Sequence, residues 1–245
     1  MKILSVANQK GGVGKTTLVS LLIYLLSDRL KLLAVDMDPQ AHLTLSLLND
    51  IPEENTSYHL LMKGIFQPVK VQNFELIPAF IGLANAEVEL ASAPAREYRL
   101  RKAISKINPK YDLVIIDTPP SLSFLTLNAL MASDGVLIPT ETRYYGLASL
   151  KHLFRVLNEL TELTEKKIEI LGIVPTFYEK IVILHQDALE ELRRLPYRVF
   201  KPIPKRSIFQ YASIKGVNLF SKLDTETKET LEEIKKEVLK WLNLS

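Results

Sequence analysis

The sequence predicts an α/β fold: a doubly wound, mostly parallel sheet with helices on both faces, of the phosphate-loop kind. Three observations carry this. Short, near-continuous apolar runs alternate with amphipathic stretches, as strands buried on both faces alternate with crossover helices. The first apolar run leads into Asn8-Gln9-Lys10-Gly11-Gly12-Val13-Gly14-Lys15-Thr16-Thr17, and a helix-like run follows at once. Two later runs close on carboxylates, Asp36 and Asp117, at the strand ends where open sheets of this class bind ligands.

The strands are expected at 2 to 7, 32 to 36, 113 to 117, 135 to 139, 168 to 174 and 197 to 203, each a short apolar run. The helices are expected at 15 to 27, 83 to 92, 96 to 107, 122 to 132, 146 to 160, 184 to 194 and 225 to 243, where apolar residues recur at helical spacing. Asp28 and Arg29 end the first helix, and Pro119-Pro120 precedes the fourth. From Asn49 to Pro78 the chain carries Pro52, Pro68 and Pro78 and no clear period, so its elements are not assigned. The length fits a single domain, 1–245, and 47% hydrophobic residues suffice for a two-faced core.

The loop specifies phosphate binding. Gly11, Gly12 and Gly14 let backbone N–H groups turn inward around anionic oxygens, Val13 and Thr17 lie within the same cradle, and the following helix adds its positive dipole end. Lys15 reaches the β- and γ-phosphates as a point charge, and the Thr16 hydroxyl takes a position on Mg²⁺. Lys10 is a second ammonium beside a pocket that Lys15 already serves. A geometry using both sends Lys10 to the phosphates of a second subunit, acting in trans; the alternative is a solvated lysine at the loop entrance.

Cysteine is absent, which excludes disulfides, thiolate zinc sites and cysteine-held iron–sulfur clusters. His42, His59, His152 and His185 show no metal-ligand spacing. No signal peptide or spanning run is evident, so a cytoplasmic protein is expected.

NQKGGVGKTT resembles the deviant Walker A loop of the ParA/Soj/MinD family of partition and positioning ATPases. VDMDPQ (35 to 40), LANAEVEL (83 to 90), REYRLR (96 to 101), YDLVIIDTPPS (111 to 121), LTLNALMASDGVLIPT (125 to 140) and GIVPTFYE (172 to 179) resemble Soj-type segments in the same order. The likeness is to the short chromosomal Soj type, since the loop begins within ten residues of Met1. It implies that Asp38 orients the attacking water, that Asp36 stands behind the Mg²⁺ and Thr16 region, and that Asp117 is the Walker B carboxylate. It implies a homodimer that assembles with ATP, binds non-specific double-stranded DNA on the nucleoid and is stimulated by a ParB-like partner.

Charge agrees with DNA. Residues 166 to 222 hold eleven Lys/Arg against five acids in a chain of net charge +3. Arg193, Arg194, Arg198, Lys201, Lys205 and Arg206 run without an intervening acid, a footprint for phosphate backbone; a solvated basic face is the alternative. Lys215 belongs to the same segment. By resemblance Lys205 stands at a DNA-contacting arginine position, Lys180 substitutes for another that is Ile181 here, and Pro204 and Arg206 border the adenine. Ala41-His42 and Arg143 depart from the family pattern. The rival expectation is a MinD-like membrane-positioning ATPase, because Leu231, Ile234, Val238, Trp241 and Leu242 share a face of the last helix. The glutamates on its polar side favour core packing, so no stable membrane association is expected. A small-molecule phosphorylating or ligating enzyme is a third reading, for which no acceptor signature is found.

Overall fold

The structure, a computed structural model, describes residues 1–107, 110–164, 167–209, 211 and 217–244; at 144–148, 164 and 217–219 it describes the backbone. Lys215 lies outside the described residues. Among the described residues seven strands form one sheet: β1 (Lys2–Val6), β2 (Leu32–Asp36), β3 (Val69–Val71), β4 (Phe74–Ile77), β5 (Leu113–Asp117), β6 (Gly135–Glu141) and β7 (Glu169–Thr176). Their order is β3-β4-β2-β5-β1-β6-β7, with every pair parallel except β3 against β4. Among the described residues the α-helices are α1 (Lys15–Leu26), α2 (His42–Leu48), α3 (Ser57–Lys63), α4 (Ala84–Ala91), α5 (Arg99–Ile104), α6 (Phe124–Ala132), α7 (Tyr144–Thr164), α8 (Ile183–Arg193) and α9 (Thr225–Trp241).

The central strands β1, β2, β5 and β6 are largely apolar because each of their faces is covered. Leu4, Val6, Leu113 and Ile115 pack with α1 and α9, while the alternate residues Ile3, Val114 and Ile116 pack with α3 to α6. On α9, Leu231, Ile234, Val238 and Trp241 are buried in the first of these clusters, as core packing of that helix requires. Lifting α9 off the sheet would leave the core residues beneath it in water, at about 1.5–3 kcal/mol per large side chain exposed, which weighs against the membrane-anchor alternative. Among the described residues no helix is long and apolar enough to cross a membrane.

Two expectations need correction. The segment 197 to 203 is not a regular strand; it lies beside β7 through one isolated bridge, Ile173 with Val199, and a second, Tyr178 with Pro204, follows just past the end of both. Phe200 N donates to Ile173 O at 3.0 Å and Ile203 N to Pro175 O at 2.7 Å, but Pro202 has no N–H and Lys201 N turns to Glu233 at 3.3 Å. The helix expected over 96 to 107 begins with a 3-10 turn at Arg96–Tyr98 and ends at Ile104. There the N–H groups of Lys106 and Ile107 close tighter bonds onto Ala103 and Ile104.

β7 also carries an irregularity against β6, where Gly172 sits at φ +155°. A Cβ there would meet Phe200 Cε2 at 2.5 Å and Arg198 O at 3.1 Å. Gly172→Ala is therefore expected to destabilise the fold by about 1–3 kcal/mol through overpacking. A urea midpoint equal to that of the parent chain would contradict this.

Candidate active site

The phosphate loop takes the shape its glycines allow. Gly12 (φ +74°) and Gly14 (φ +89°) adopt the left-handed region, and Gly14 caps α1. The loop entrance is tied to β6, for Asn8 Nδ2 donates to Pro139 O at 2.7 Å and to Thr140 Oγ1 at 3.0 Å, while Asn8 Oδ1 accepts Lys10 N at 3.0 Å. Its crown is tied to β7, where Thr176 Oγ1 donates to Val13 O at 2.9 Å.

The two lysines diverge. Lys15 is buried, and its Nζ donates to Lys10 O at 3.1 Å. Burial pushes its ammonium below the ordinary value, against the pull of Asp117 and Asp38. Lys10 turns away and pairs with Glu141 at the end of β6.

In-register pairing of β2 with β5 sets Asp36 directly beside Asp117, both fully buried. Burial raises Asp117 well above the usual carboxylate range and Asp36 adds to it; the Thr16 hydroxyl, at 2.7 Å from Oδ2, and Lys15 oppose. Asp117 Oδ1 is buried with no hydrogen-bond partner, so an oxygen beside Thr16 stays uncommitted. Asp36 is raised to about 6, again by burial first, with the Thr44 bonds opposing. Its oxygens are spent within the protein: Oδ2 accepts Thr44 Oγ1 at 2.7 Å and Thr44 N at 2.9 Å, and Oδ1 accepts Asp38 N at 3.1 Å. Asp36 thus places Asp38 and the start of α2. Asp38 lines the cavity, and its Oδ1 accepts Gln40 N at 2.9 Å.

An uncommitted buried oxygen next to a hydroxyl suits a hard cation, and a magnesium ion that draws most ligands from phosphates and water needs no more. Accordingly, among the described residues no cluster of three or more His, Cys, Asp or Glu side chains forms a protein-only cage. The cavity is about 550 Å³, large enough for a nucleotide, and is lined by Gly12, Lys15, Thr16, Asp38, Phe177 and Phe209 among others.

Residues 1–170 match the AAA domain family AAA_31. The chromosome-partitioning ATPase Soj of Thermus thermophilus is 41% identical over 78% of this chain and 75% of its own length. The chain belongs to the ParA/Soj family. A McdA variant of Cyanothece in complex with ATP superposes at TM-score 0.90 with 27% identity, over 97% of this chain and 96% of that one. Cobyrinic acid a,c-diamide synthase of Mycobacterium smegmatis, bound to an ATP analogue and magnesium, gives TM-score 0.82 at 31% identity, over 95% and 92%. This ParA/Soj member is a P-loop ATPase with nucleotide as its ligand.

The remaining expected site residues of this ParA/Soj chain scatter. Pro204 is buried and lines a small apolar recess with Gly14, Thr17, Phe177 and Phe209. Arg206 points elsewhere, pairing with Asp224 at 2.6 Å and Glu226 at 3.4 Å. Of the expected DNA-facing cations, Arg198 pairs with Glu233 and Glu237, Lys201 with Glu229, Lys205 with Glu179 and Arg194 with Glu191. Lys180 and Arg193 are exposed, with no carboxylate partner among the described residues. Sequence reading missed Glu141, Thr44, Gln40, Thr176 and the aromatic walls. Sequence reading places Phe177 only within the segment 172 to 179 and gives it no role, although it sits at φ +54°, a costly conformation for a bulky residue, with its ring against Gly14.

Proposed function

We propose that this chain is an ATP-dependent partition ATPase of DNA. In this reading one P-loop domain, residues 1–245, forms a sandwich dimer when ATP and Mg²⁺ are bound. The dimer binds duplex DNA without regard to sequence, on the nucleoid in the cytoplasm, and turns over ATP slowly until a ParB-like partner stimulates it. The observation that supports it most is the divergence of the two loop lysines. Lys15 lines the nucleotide cavity and Lys10 does not, so Lys10 is left to serve a neighbouring subunit.

The geometry supports a role for each residue. The Gly11, Gly12, Val13 and Gly14 backbone with Lys15, Thr16 and Thr17 cradles the phosphates. Thr16 and Asp117 would hold Mg²⁺, which when bound neutralises charge on the β- and γ-phosphates. Asp36 holds Asp38 where it can orient a water, and Pro204 borders the adenine, with Arg206 reaching it only by leaving Asp224. Phosphoryl transfer asks for positioning and charge more than covalent help, which this set supplies.

The test compares binding to non-specific duplex DNA and to anionic liposomes, each over a salt series with ATP or ADP. A steep salt slope on DNA with ATP alone is the expected result. Liposome binding that disappears on removal of residues 231 to 245 would overturn the reading in favour of a membrane-positioning role.

A further inference from the structure

The cations that the sequence sets in an acid-free run are largely compensated in space. Between 198 and 206 each one, Arg198, Lys201, Lys205 and Arg206, meets a carboxylate, and most of these carboxylates stand on or just before α9. A different set is not compensated. Lys63 at the end of α3, Arg99 and Lys102 on α5, and Lys106 just beyond it line one groove of about 420 Å³ with no acidic side chain in its wall. None of the four has a carboxylate partner among the described residues, and the acid nearest in sequence, Glu97, is taken by Arg96 at 2.8 Å. Residues 96 to 110 hold six Lys/Arg against that one acid.

The arrangement is a track. Arg99, Lys102 and Lys106 follow one another at three- and four-residue spacing, so the first two and their successor lie along one side, while Lys63 on a second helix faces the same trough. Pro94 and Tyr98 form apolar wall between them. Concave walls of one charge sign focus the field, which draws polyanions in. The groove shares no lining residue with the nucleotide cavity, so an anion there does not compete with ATP for the same side chains.

We propose that this groove between α3 and α5 is a binding track for the phosphodiester backbone of duplex DNA, with Lys63, Arg99, Lys102 and Lys106 as its phosphate contacts. The proposal rests on the DNA-partition reading and moves the main footprint away from the 198 to 206 strip. The contacts are charge to backbone, so they carry no base preference.

The experiment measures affinity of the full chain, with ATP and Mg²⁺, for a fluorescent duplex of arbitrary sequence over a salt series. Three chains are compared: the parent, the variant Lys63→Gln/Arg99→Gln/Lys102→Gln/Lys106→Gln, and the variant Arg198→Gln/Lys201→Gln/Lys205→Gln. Each phosphate contact contributes about 0.9 to the log–log salt slope, so the groove variant is expected to lose about 3–4 from it. Its affinity then falls much less between about 50 and about 200 mM salt than the parent's, by roughly 100-fold. The strip variant is expected to change the slope by less than about one contact's worth. Because Arg99 is half-buried, the three lysines are also followed in the parent by acetylation footprinting, where duplex DNA protects Lys63, Lys102 and Lys106. An unchanged slope in the groove variant together with unprotected lysines overturns the proposal and leaves DNA partition standing. The same chains are titrated with poly-glutamate, and a groove variant that loses poly-glutamate binding while DNA binding stays intact also overturns the proposal, in favour of an acidic protein partner. A parent chain that binds no DNA with ATP defeats the partition reading itself.

Discussion

Lys10→Ala abolishes ATP turnover while leaving nucleotide binding by the single protomer largely intact: this is the expected result of removing the loop's first lysine. Its ammonium is engaged by Glu141, not directed into the cavity, and only its carbonyl touches Lys15. The phosphate cradle therefore keeps its glycine N–H groups, Lys15 and Thr16 when the Lys10 side chain is cut back. A cation delivered across a subunit interface to the transition state is worth about 10³–10⁵ in rate when it is an arginine. A lysine offers a point charge without the bidentate fork, so a loss at the lower end, about 10³-fold, is expected. Turnover is read from phosphate release, and binding from a fluorescent ATP analogue at protein concentrations where the parent is monomeric. Retained turnover would refute the trans role, and lost monomer binding would assign Lys10 to its own phosphate cradle.

The parts of this molecule legible in the sequence are those fixed by neighbours in the chain. The phosphate loop is ten consecutive residues, and its glycine conformations follow from residue type alone. Strands β1, β2, β5 and β6 are near-continuous apolar runs, and their burial on both faces is the reason. What escaped depends on distant partners. Helix α2 starts after Ala41 at φ +53°, with no capping side chain of its own, because its first-turn donor is received by Asp36. Helix α6 starts at Phe124, later than its apolar pattern suggests, where Glu87 of α4 accepts the N–H groups of Phe124 and Leu125 at 3.0 and 3.2 Å. The β3–β4 hairpin is hidden inside 49 to 78 because its strands are three and four residues long and it turns through Gln72 at φ +47° without a glycine. The pairing of the basic strip escaped for the same reason: the acids that meet Arg198 and Lys201 lie 28 to 39 residues onward, on α9.

Asp38→Ala is expected to stop the cycle at hydrolysis, after ATP has bound and the dimer has formed. Asp38 is held by Asp36 through its backbone and by Gln40 through its carboxylate, and it faces the cavity with nothing covalent to contribute. Losing a group that orients or deprotonates the attacking water costs about 10²–10⁴-fold. ATP then remains bound, and gel filtration is expected to show a persistent dimer with ATP, whereas only monomer would oppose this. The two variants together give the sharper result. In a mixed dimer, the site on the Lys10→Ala protomer keeps Asp38 and receives Lys10 from its Asp38→Ala partner, so one of the two sites is whole. Random pairing of equal amounts makes half of the dimers mixed, and about one quarter of parental turnover returns from two dead proteins, provided catalysis is shared across a two-fold interface. If both residues act within a single protomer, every site in the mixture lacks one of them and turnover stays at the background of either variant alone.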